Sequence, residues 1–258
     1  MTSIQQTTSR LRELRLTAMA SAYQLQLEQP RLHQLPFDDR FAMLVEHEVS
    51  ERERRKLKRI VAAASLPEPA ALEDLDERAS RGLDKSQIAQ LASCEWVRRH
   101  QNLIIQGATG VGKTWLAAAF GAQACRLKMT VLFWRMSELC STLSDAALDG
   151  SLARFKKSLV KPDLLILDDF GIGEISAQNA QVLLDVVDRR VRSGALLFTS
   201  QYQTEKWHGF FPDATVADAI LDRVVHQAHR VTLKGESMRK IRAKKQMEAE
   251  LDRGTRKT

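Results

Sequence analysis

An eight-residue motif at positions 107–114 constrains the fold of this chain more than any other feature. It reads Gly-Ala-Thr-Gly-Val-Gly-Lys-Thr, a complete phosphate-binding P-loop. An apolar run at 102–106 precedes it and an alanine-rich stretch at 115–127 follows it, which predicts a buried strand and a helix on either side. Such a loop directs successive backbone N–H groups at phosphate oxygens beside a helix N-terminus. The motif therefore predicts an α/β protein that binds a nucleoside triphosphate.

Every residue of the motif is expected to contact the triphosphate. Lys113 is predicted to reach the β- and γ-phosphates and so to take part in catalysis, and the Thr114 hydroxyl is predicted to hold Mg²⁺. The expected nucleotide-binding residues are Gly107, Ala108, Thr109, Gly110, Val111, Gly112, Lys113 and Thr114.

Two acids supply the other half of a hydrolysis site. Residues 164–167 are all aliphatic and lead directly into Asp168 and Asp169. Such a run predicts a buried parallel strand that delivers its carboxylates at the carboxyl edge of the sheet, beside the P-loop. Asp168 is expected to hold Mg²⁺, and Asp169 to orient or polarise the attacking water.

Short apolar runs recur along the middle of the chain with helical segments between them. They predict five strands, at 102–106, 131–135, 164–168, 195–201 and 229–233. Strands alternating with helices favour a right-handed, parallel, three-layer sheet. The chain is accordingly divided into an N-terminal helical domain for partner or DNA interaction (1–65), a connector (66–81), an ATPase core (82–234) and a C-terminal segment (235–258).

Composition restricts the class of protein. The hydrophobic content of 44% is ordinary for a globular chain, and no apolar run approaches the length of a membrane span. The first residues lack a charged-then-apolar signal sequence, so a cytoplasmic location is expected. Cys94, Cys125 and Cys140 are widely spaced, which favours reduced thiols over disulfides or a zinc site.

The net charge of +7 is unevenly distributed along the chain. Residues 234–258 hold nine Lys and Arg against four Asp and Glu, whereas residues 66–233 are nearly neutral. A basic tail beside a nucleotide site favours a nucleic-acid phosphate backbone as partner, although a solvated helix end is the alternative. Arg154, Lys156 and Lys157 could also meet a phosphate chain or form an ordinary solvated face.

Two arginines follow the fourth predicted strand. Arg223 ends an apolar helical segment, and Arg239 follows the fifth strand in a Gly-Glu-Ser-Met-Arg sequence. A guanidinium group suits transition-state charge because it stays ionised and donates in a fork. One arginine is expected to act on its own subunit's nucleotide and the other across a subunit boundary. The alternative for Arg223 is a helix-capping arginine paired with Asp218 or Asp222.

Several blocks spread over nearly the whole chain together resemble the IstB family. That family comprises bacterial transposition helper ATPases of the AAA+ class, close to the helicase loader DnaC. The P-loop is common to many families, whereas the blocks Ala217–Arg223 and Gly235–Arg239 are far more specific. The blocks are Leu14–Leu16 with Met19-Ala20, the P-loop, Leu167–Gly171, Thr199–Tyr202, Ala217–Arg223 and Gly235–Arg239.

The resemblance implies an ATPase that uses ATP and Mg²⁺ and forms a homo-oligomer with ATP and duplex DNA. It also implies selection or remodelling of target DNA and stimulation of a cognate transposase. By the same matching, Arg223 is similar to the arginine finger that acts in trans, and Arg239 to the second sensor. Asp169 departs from the Glu of most AAA+ proteins, and Gln201 from a frequent Asn, so either Ser200 or Gln201 could be the first sensor.

Other functions remain compatible with parts of this pattern. A DnaC-like replicative helicase loader would share the core and differ in the partner of its N-terminal helices. A small-molecule P-loop kinase would need neither Arg223 nor a basic tail. A nucleotide-gated DNA-binding protein without hydrolysis would keep Lys113 and tolerate loss of Asp169.

Overall fold

The computed structural model describes residues 3–76, 82–238 and 240. The chain divides into an N-terminal unit, Met1–Arg59, and a C-terminal unit, Ile60–Thr258. The N-terminal unit contains helices α1 (Ser3–Glu13) and α2 (Thr17–Glu28), a 3₁₀ turn (Pro30–Gln34) and most of the long helix α3 (Phe37–Ala63).

A buried carboxylate of α3 caps α2. Glu48 accepts hydrogen bonds of 2.9 Å from the backbone N–H groups of Ala18 and Met19, which lie in the first turn of α2. Arg52 donates to the same carboxylate at 2.7 Å. Burial favours the neutral acid, but the hydrogen bonds from Met19, Arg52 and Ala18 outweigh it and lower the pKa of Glu48. This contact joins two helices of the N-terminal unit.

The C-terminal unit alternates strands and helices as the apolar runs predict. A short 3₁₀ turn (Leu72–Asp74) precedes them. The elements that follow are α4 (Lys85–Ala92), α5 (Glu95–Arg98), β1 (Asn102–Gly107), α6 (Lys113–Arg126), β2 (Val131–Arg135), α7 (Met136–Leu148), α8 (Leu152–Val160), β3 (Leu164–Asp168), α9 (Ala177–Arg190), β4 (Ala195–Ser200), a 3₁₀ turn (Thr204–Phe210), α10 (Ala214–Val225) and β5 (Ala228–Leu233). All five predicted strands form, and each differs from its predicted bounds by at most one residue.

The five strands make one sheet in the order β2-β3-β4-β1-β5, and every neighbouring pair is parallel. Because the strands run in the same direction, the ends of β1, β3 and β4 meet at one edge of the sheet. This edge therefore receives the P-loop, Asp168 and the polar residues after Phe198.

Helices cover both faces of the sheet. Alternate residues of β3 point to opposite sides of the sheet. Ile166 faces α6, because a Cβ added to Gly121 of that helix would lie 2.9 Å from the Ile166 side chain. Leu165 and Leu167 belong to the core cluster on the other side. That cluster also contains buried residues of α7, α9 and α10. The expected three-layer α/β architecture is confirmed.

A fully buried arginine joins the starts of two strands. The Arg190 guanidinium at the end of α9 donates only to backbone carbonyls, those of Leu159, Val160, Pro162, Asp163 and Ala195. Burial lowers its pKa to about 10. The side chain thereby links the end of α8 to the first residues of β3 and β4.

Within residues 3–76, 82–238 and 240, no helix is long and apolar enough to cross a membrane.

Candidate active site

The P-loop adopts a backbone that its glycines permit. Gly110 has φ of +83°, in the left-handed region, and a Cβ there would lie 2.4 Å from the Ser237 hydroxyl oxygen. A Cβ on Gly107 would lie 2.5 Å from the Leu233 carbonyl oxygen. Helix α6 begins at Lys113, immediately after the loop, so the loop precedes a helix N-terminus as the sequence predicts.

Lys113 is held inside the loop. Its side chain is buried, and Nζ donates a 3.0 Å hydrogen bond to the carbonyl oxygen of Ala108. Burial lowers the pKa of Lys113, and the negative charges of Asp169 and Asp168 partly restore it. The ammonium group of Lys113 thus lies within the loop, bonded to one of the loop's own carbonyls.

Thr114 and Asp168 are in direct contact. The Thr114 hydroxyl lies 3.0 and 2.9 Å from the two carboxylate oxygens of Asp168 and donates to that group. Asp168 is fully buried, and burial is the main cause of its raised pKa. A buried carboxylate beside a hydroxyl is a set of hard oxygen donors, and among the described residues no salt bridge joins Asp168 to a cation; this donor set fits Mg²⁺. Mg²⁺ sites of nucleotide-binding proteins take their remaining ligands from phosphates and water.

Asp169 follows in an uncommon backbone conformation. Its φ is +58°, in the left-handed region, which Asp and Asn tolerate better than longer side chains do. Its carboxylate lines the cavity beside the P-loop. The short side chain of Asp169 therefore suits the backbone at this position.

Thr199 connects both aspartates, a role that the sequence analysis did not assign. Its hydroxyl donates to Asp168 at 2.5 Å and accepts from the backbone N–H of Asp169 at 2.9 Å. The side chain is fully buried in β4. A threonine one residue before the end of an apolar strand was the available signal, but strand position alone does not identify its partners.

The two candidates for the first sensor occupy different places. The Ser200 hydroxyl is buried, donates to the carbonyl of Phe170 at 2.7 Å and accepts from the N–H of Tyr202. Gln201 instead accepts a 2.8 Å hydrogen bond from the Thr109 hydroxyl in the P-loop and lines the cavity. Of these two side chains, that of Gln201 is the one bonded to the P-loop.

A cavity of about 280 Å³ is lined by six of the predicted site residues, five from the P-loop and Asp169. This is near the lower end of the volumes typical of small-molecule sites. Besides parts of the P-loop, it is lined by residues that motif reading did not single out. Its lining residues are Glu68, Asp74, Asp76, Thr109, Gly110, Gly112, Lys113, Thr114, Trp115, Asp169, Ile172, Gln201 and Met238.

The segment after β5 packs on the P-loop. The N–H of Met238 donates to the carbonyl of Gly110 at 2.9 Å, and Ser237 lies against the same glycine. Arg239 and the basic tail from residue 241 onward lie outside the described residues. Ser237 and Met238, the two residues just before Arg239, therefore lie against the P-loop, and Met238 also lines the cavity.

Arg223 is not among the residues that line this cavity. Its Nε contacts the carboxylate of Asp188 in α9, and Nη1 donates to the Ala219 carbonyl at 2.6 Å. Asp218 and Asp222, the partners considered from sequence, contact His208 and His226 instead. About a third of the Arg223 side chain is exposed. The structure therefore places this arginine on the surface formed by α9 and α10.

Asn102 anchors the end of the helix that carries Arg223. Its side-chain amide, buried at the start of β1, donates to the carbonyls of Arg223 and Val224 at 3.1 Å. Its oxygen accepts from the N–H of Leu196 in β4. The strand that leads into the P-loop thus also holds the C-terminus of α10.

Comparison with known proteins gives a consistent result. The model of the IstB-like ATP-binding protein family matches residues 9–247. The chain is 40% identical over 232 residues to the insertion sequence ATP-binding protein y4uH of Sinorhizobium fredii, covering 90% of this chain and 94% of the relative. It is 43% identical over 198 residues to the ATP-binding protein of insertion sequence IS1162 from Pseudomonas fluorescens, covering 76% and 86% of the two chains.

Among solved structures, the chain is similar to the crystal structure of DnaI. The TM-score is 0.56 at 21% identity, and the match covers 69% of this chain and 94% of DnaI. At this identity the likeness concerns the fold alone. It agrees with the P-loop AAA+ core that the resemblance implied.

Proposed function

This chain belongs to the family of IstB-like ATP-binding proteins, and we propose that it is the ATP-dependent DNA-binding helper of an insertion-sequence transposase. In this proposal it assembles as a homo-oligomer on duplex DNA with ATP, selects or remodels target DNA and stimulates the cognate transposase. Its work on bacterial DNA would take place in the cytoplasm.

The proposed reaction is hydrolysis of ATP to ADP and phosphate. The observation that carries it is the contact between Thr114 of the P-loop and Asp168, with Asp169 on the same cavity. A site that only bound nucleotide would need no second acid beside the phosphate cradle.

Each residue has a defined task in this mechanism. The backbone N–H groups of residues 107–114 and the Lys113 ammonium hold the β- and γ-phosphates. Thr114 and Asp168 would hold Mg²⁺, which neutralises phosphate charge when bound. Asp169 orients the attacking water and accepts its proton, while Thr199 fixes the positions of both aspartates. Gln201 couples the end of β4 to the loop through Thr109.

Arg223 is proposed to complete the site of a neighbouring subunit. It lies on α10, outside the cavity of its own chain, and keeps a partly exposed guanidinium. A cation at the γ-phosphate stabilises transition-state charge and is worth several orders of magnitude in rate in related chemistry. Arg239 is proposed as the second sensor because the residues just before it pack on the P-loop.

The transposase and DNA roles rest on the family relationship and on charge. The relatives compared above are insertion-sequence proteins, which favours a transposase over a replicative helicase as partner. Residues 1–65 are proposed as the partner- or DNA-interaction domain, joined by residues 66–81 to the core at 82–234.

The decisive experiment reconstitutes the reaction with the purified chain, ATP, Mg²⁺, duplex target DNA and the transposase of the same insertion sequence. We expect ATP-dependent assembly on DNA and increased strand transfer into that DNA. Strand transfer that is independent of this protein would contradict the transposition role. Matched assays with a replicative helicase test the alternative loader role directly.

A further inference from the structure

A groove between α8 and the end of α9 is lined by four basic side chains. One stripe along α8 and its last cap residue lines the groove opposite Arg189 of α9. It consists of positions at helical spacing, namely 153, 156, 157, 160 and 161. The cavity there measures about 410 Å³. The inner face of α8 packs on the core through Leu152, Phe155 and Leu159. The residues that line the groove are Ala153, Lys156, Lys157, Val160, Lys161 and Arg189.

The groove carries an excess of positive charge. Asp185 contacts two of its cations, Lys156 at 2.7 Å and Arg189 at 2.8 Å, and these hydrogen bonds lower the pKa of the carboxyl group. Four cations and this one carboxylate leave a net charge of three.

The other acids nearest in sequence already have partners. Asp163 accepts hydrogen bonds from Thr130, and Asp188 pairs with Arg223. Lys157 and Lys161 therefore retain charge that an external anion can use. The aliphatic stems of the lysines and the side chains of Ala153 and Val160 supply an apolar floor.

The groove lies at the opposite edge of the sheet from the nucleotide cavity. Arg190 ties the end of α8 to the starts of β3 and β4, whereas Asp168 lies at the end of β3. Five residues of strand span about 17 Å. An anion in the groove can therefore be bound at the same time as ATP.

The geometry points to this groove as a surface that binds the sugar-phosphate backbone of duplex DNA. The inference rests on the proposed function and gives the DNA a location on the chain. Lys157 and Lys161 are one helical turn apart, about 6 Å along the axis, and each DNA strand carries a phosphate about every 3.4 Å of its axis. Two ammonium groups can thus contact nearby phosphates of one strand. Because these contacts are with phosphates and not with base edges, the binding is independent of base sequence.

The test replaces both exposed lysines in the full-length protein. We expect Lys157→Gln with Lys161→Gln to weaken duplex binding about tenfold or more at low salt, measured with a non-hydrolysable ATP analogue. The slope of log K against log salt becomes less steep by up to about 1.8, because each lost phosphate contact contributes about 0.9. Lys157→Arg with Lys161→Arg keeps the charges and restores binding.

Controls separate this inference from the proposed function. Lys128→Gln with Lys206→Gln removes the same charge from other exposed positions and should leave the slope nearly unchanged. ATP binding should be equal in all variants. If the parent chain binds duplex DNA and the groove variant matches it in affinity and slope, the inference is wrong; a groove that docks an acidic protein would give that result. If the parent chain itself binds no duplex, the proposed DNA role fails as well.

Discussion

Arg223 of α10 forms an ion pair with Asp188 of α9 within the same chain. The pair uses Nε of the guanidinium, and Nη1 is bonded to the Ala219 carbonyl. Both side chains are partly exposed, so the pair is screened and costs little to break. Asp188 and the Ala219 carbonyl therefore set the direction in which the guanidinium points within its own chain.

The assignment of Arg223 to a neighbour's site predicts complementation between inactive variants. Arg223→Ala should bind ATP almost normally and hydrolyse it poorly, and Lys113→Ala should fail to bind ATP productively. Mixed oligomers contain some interfaces with one intact Lys113 site and one intact Arg223. We expect partial ATPase activity to return on mixing, measured as phosphate release. If no mixture has more ATPase activity than its two variants measured separately, action of Arg223 in trans is contradicted.

Asp188 is expected to support hydrolysis through Arg223. Asp188→Asn should lower turnover by about fivefold, corresponding to the roughly 1 kcal/mol upper range of a partly exposed ion pair, without changing ATP affinity. Asp185→Asn is the matched control, because Asp185 lies one turn earlier and contacts Lys156 and Arg189. In an Arg223→Ala background the Asp188 change should have no further effect. Faster turnover in Asp188→Asn would instead mean that the ion pair restrains the arginine.

The two acids at the end of β3 should separate binding from hydrolysis. Asp169→Asn removes the charge but keeps a side chain that tolerates the left-handed backbone, so ATP binding should persist while turnover falls by at least 100-fold. Nucleotide affinity by fluorescence titration and phosphate release by a coupled assay distinguish the two effects. Turnover near that of the parent chain would exclude Asp169 as the water-orienting residue.

Thr199 is expected to matter for both stability and turnover. Thr199→Val preserves the shape of the side chain but removes the hydroxyl. The Asp169 N–H and the Asp168 carboxylate then each lose their hydrogen bond to residue 199. The free energy of unfolding should fall by about 1–3 kcal/mol, the usual cost of unsatisfied buried polar groups, and turnover should also fall. Thr199→Ser retains the hydroxyl and should remain close to the parent in both measurements.

Glu48 should make the stability of the N-terminal unit depend on pH. Its pKa is lower in the folded chain than the usual 4.5, so its contribution is present above that value and is lost as the pH falls through the folded pKa. Glu48→Gln should reduce stability by about 1 kcal/mol near neutral pH, and the difference from the parent should shrink below about pH 4.

Thermal unfolding between pH 3 and 7 measures this effect, with exposed Glu46→Gln on the same helix as the control. A difference between parent and Glu48→Gln that stays constant over that range would show that the carboxylate charge does not stabilise the contact.

The sequence alone determined the three-layer sheet and the position of the phosphate-binding loop. These follow from local patterns. Aliphatic runs such as 164–167 are too short for a typical helix and fit a strand buried on both faces, and glycines 107, 110 and 112 permit a backbone that other residues resist. Parallel strand order then brings Asp168 and the P-loop to one edge, as expected.

Tertiary structure decided which polar side chains meet. Thr199 joins Asp168 and Asp169 across about 30 residues of chain, and Asn102 holds the end of α10 from more than 100 residues away. The partner of Arg223 is Asp188 on another helix and not an aspartate of its own helix. Periodicity states which face of an element is buried, but hydrogen bonds and ion pairs depend on how neighbouring elements are packed, which a local pattern does not encode.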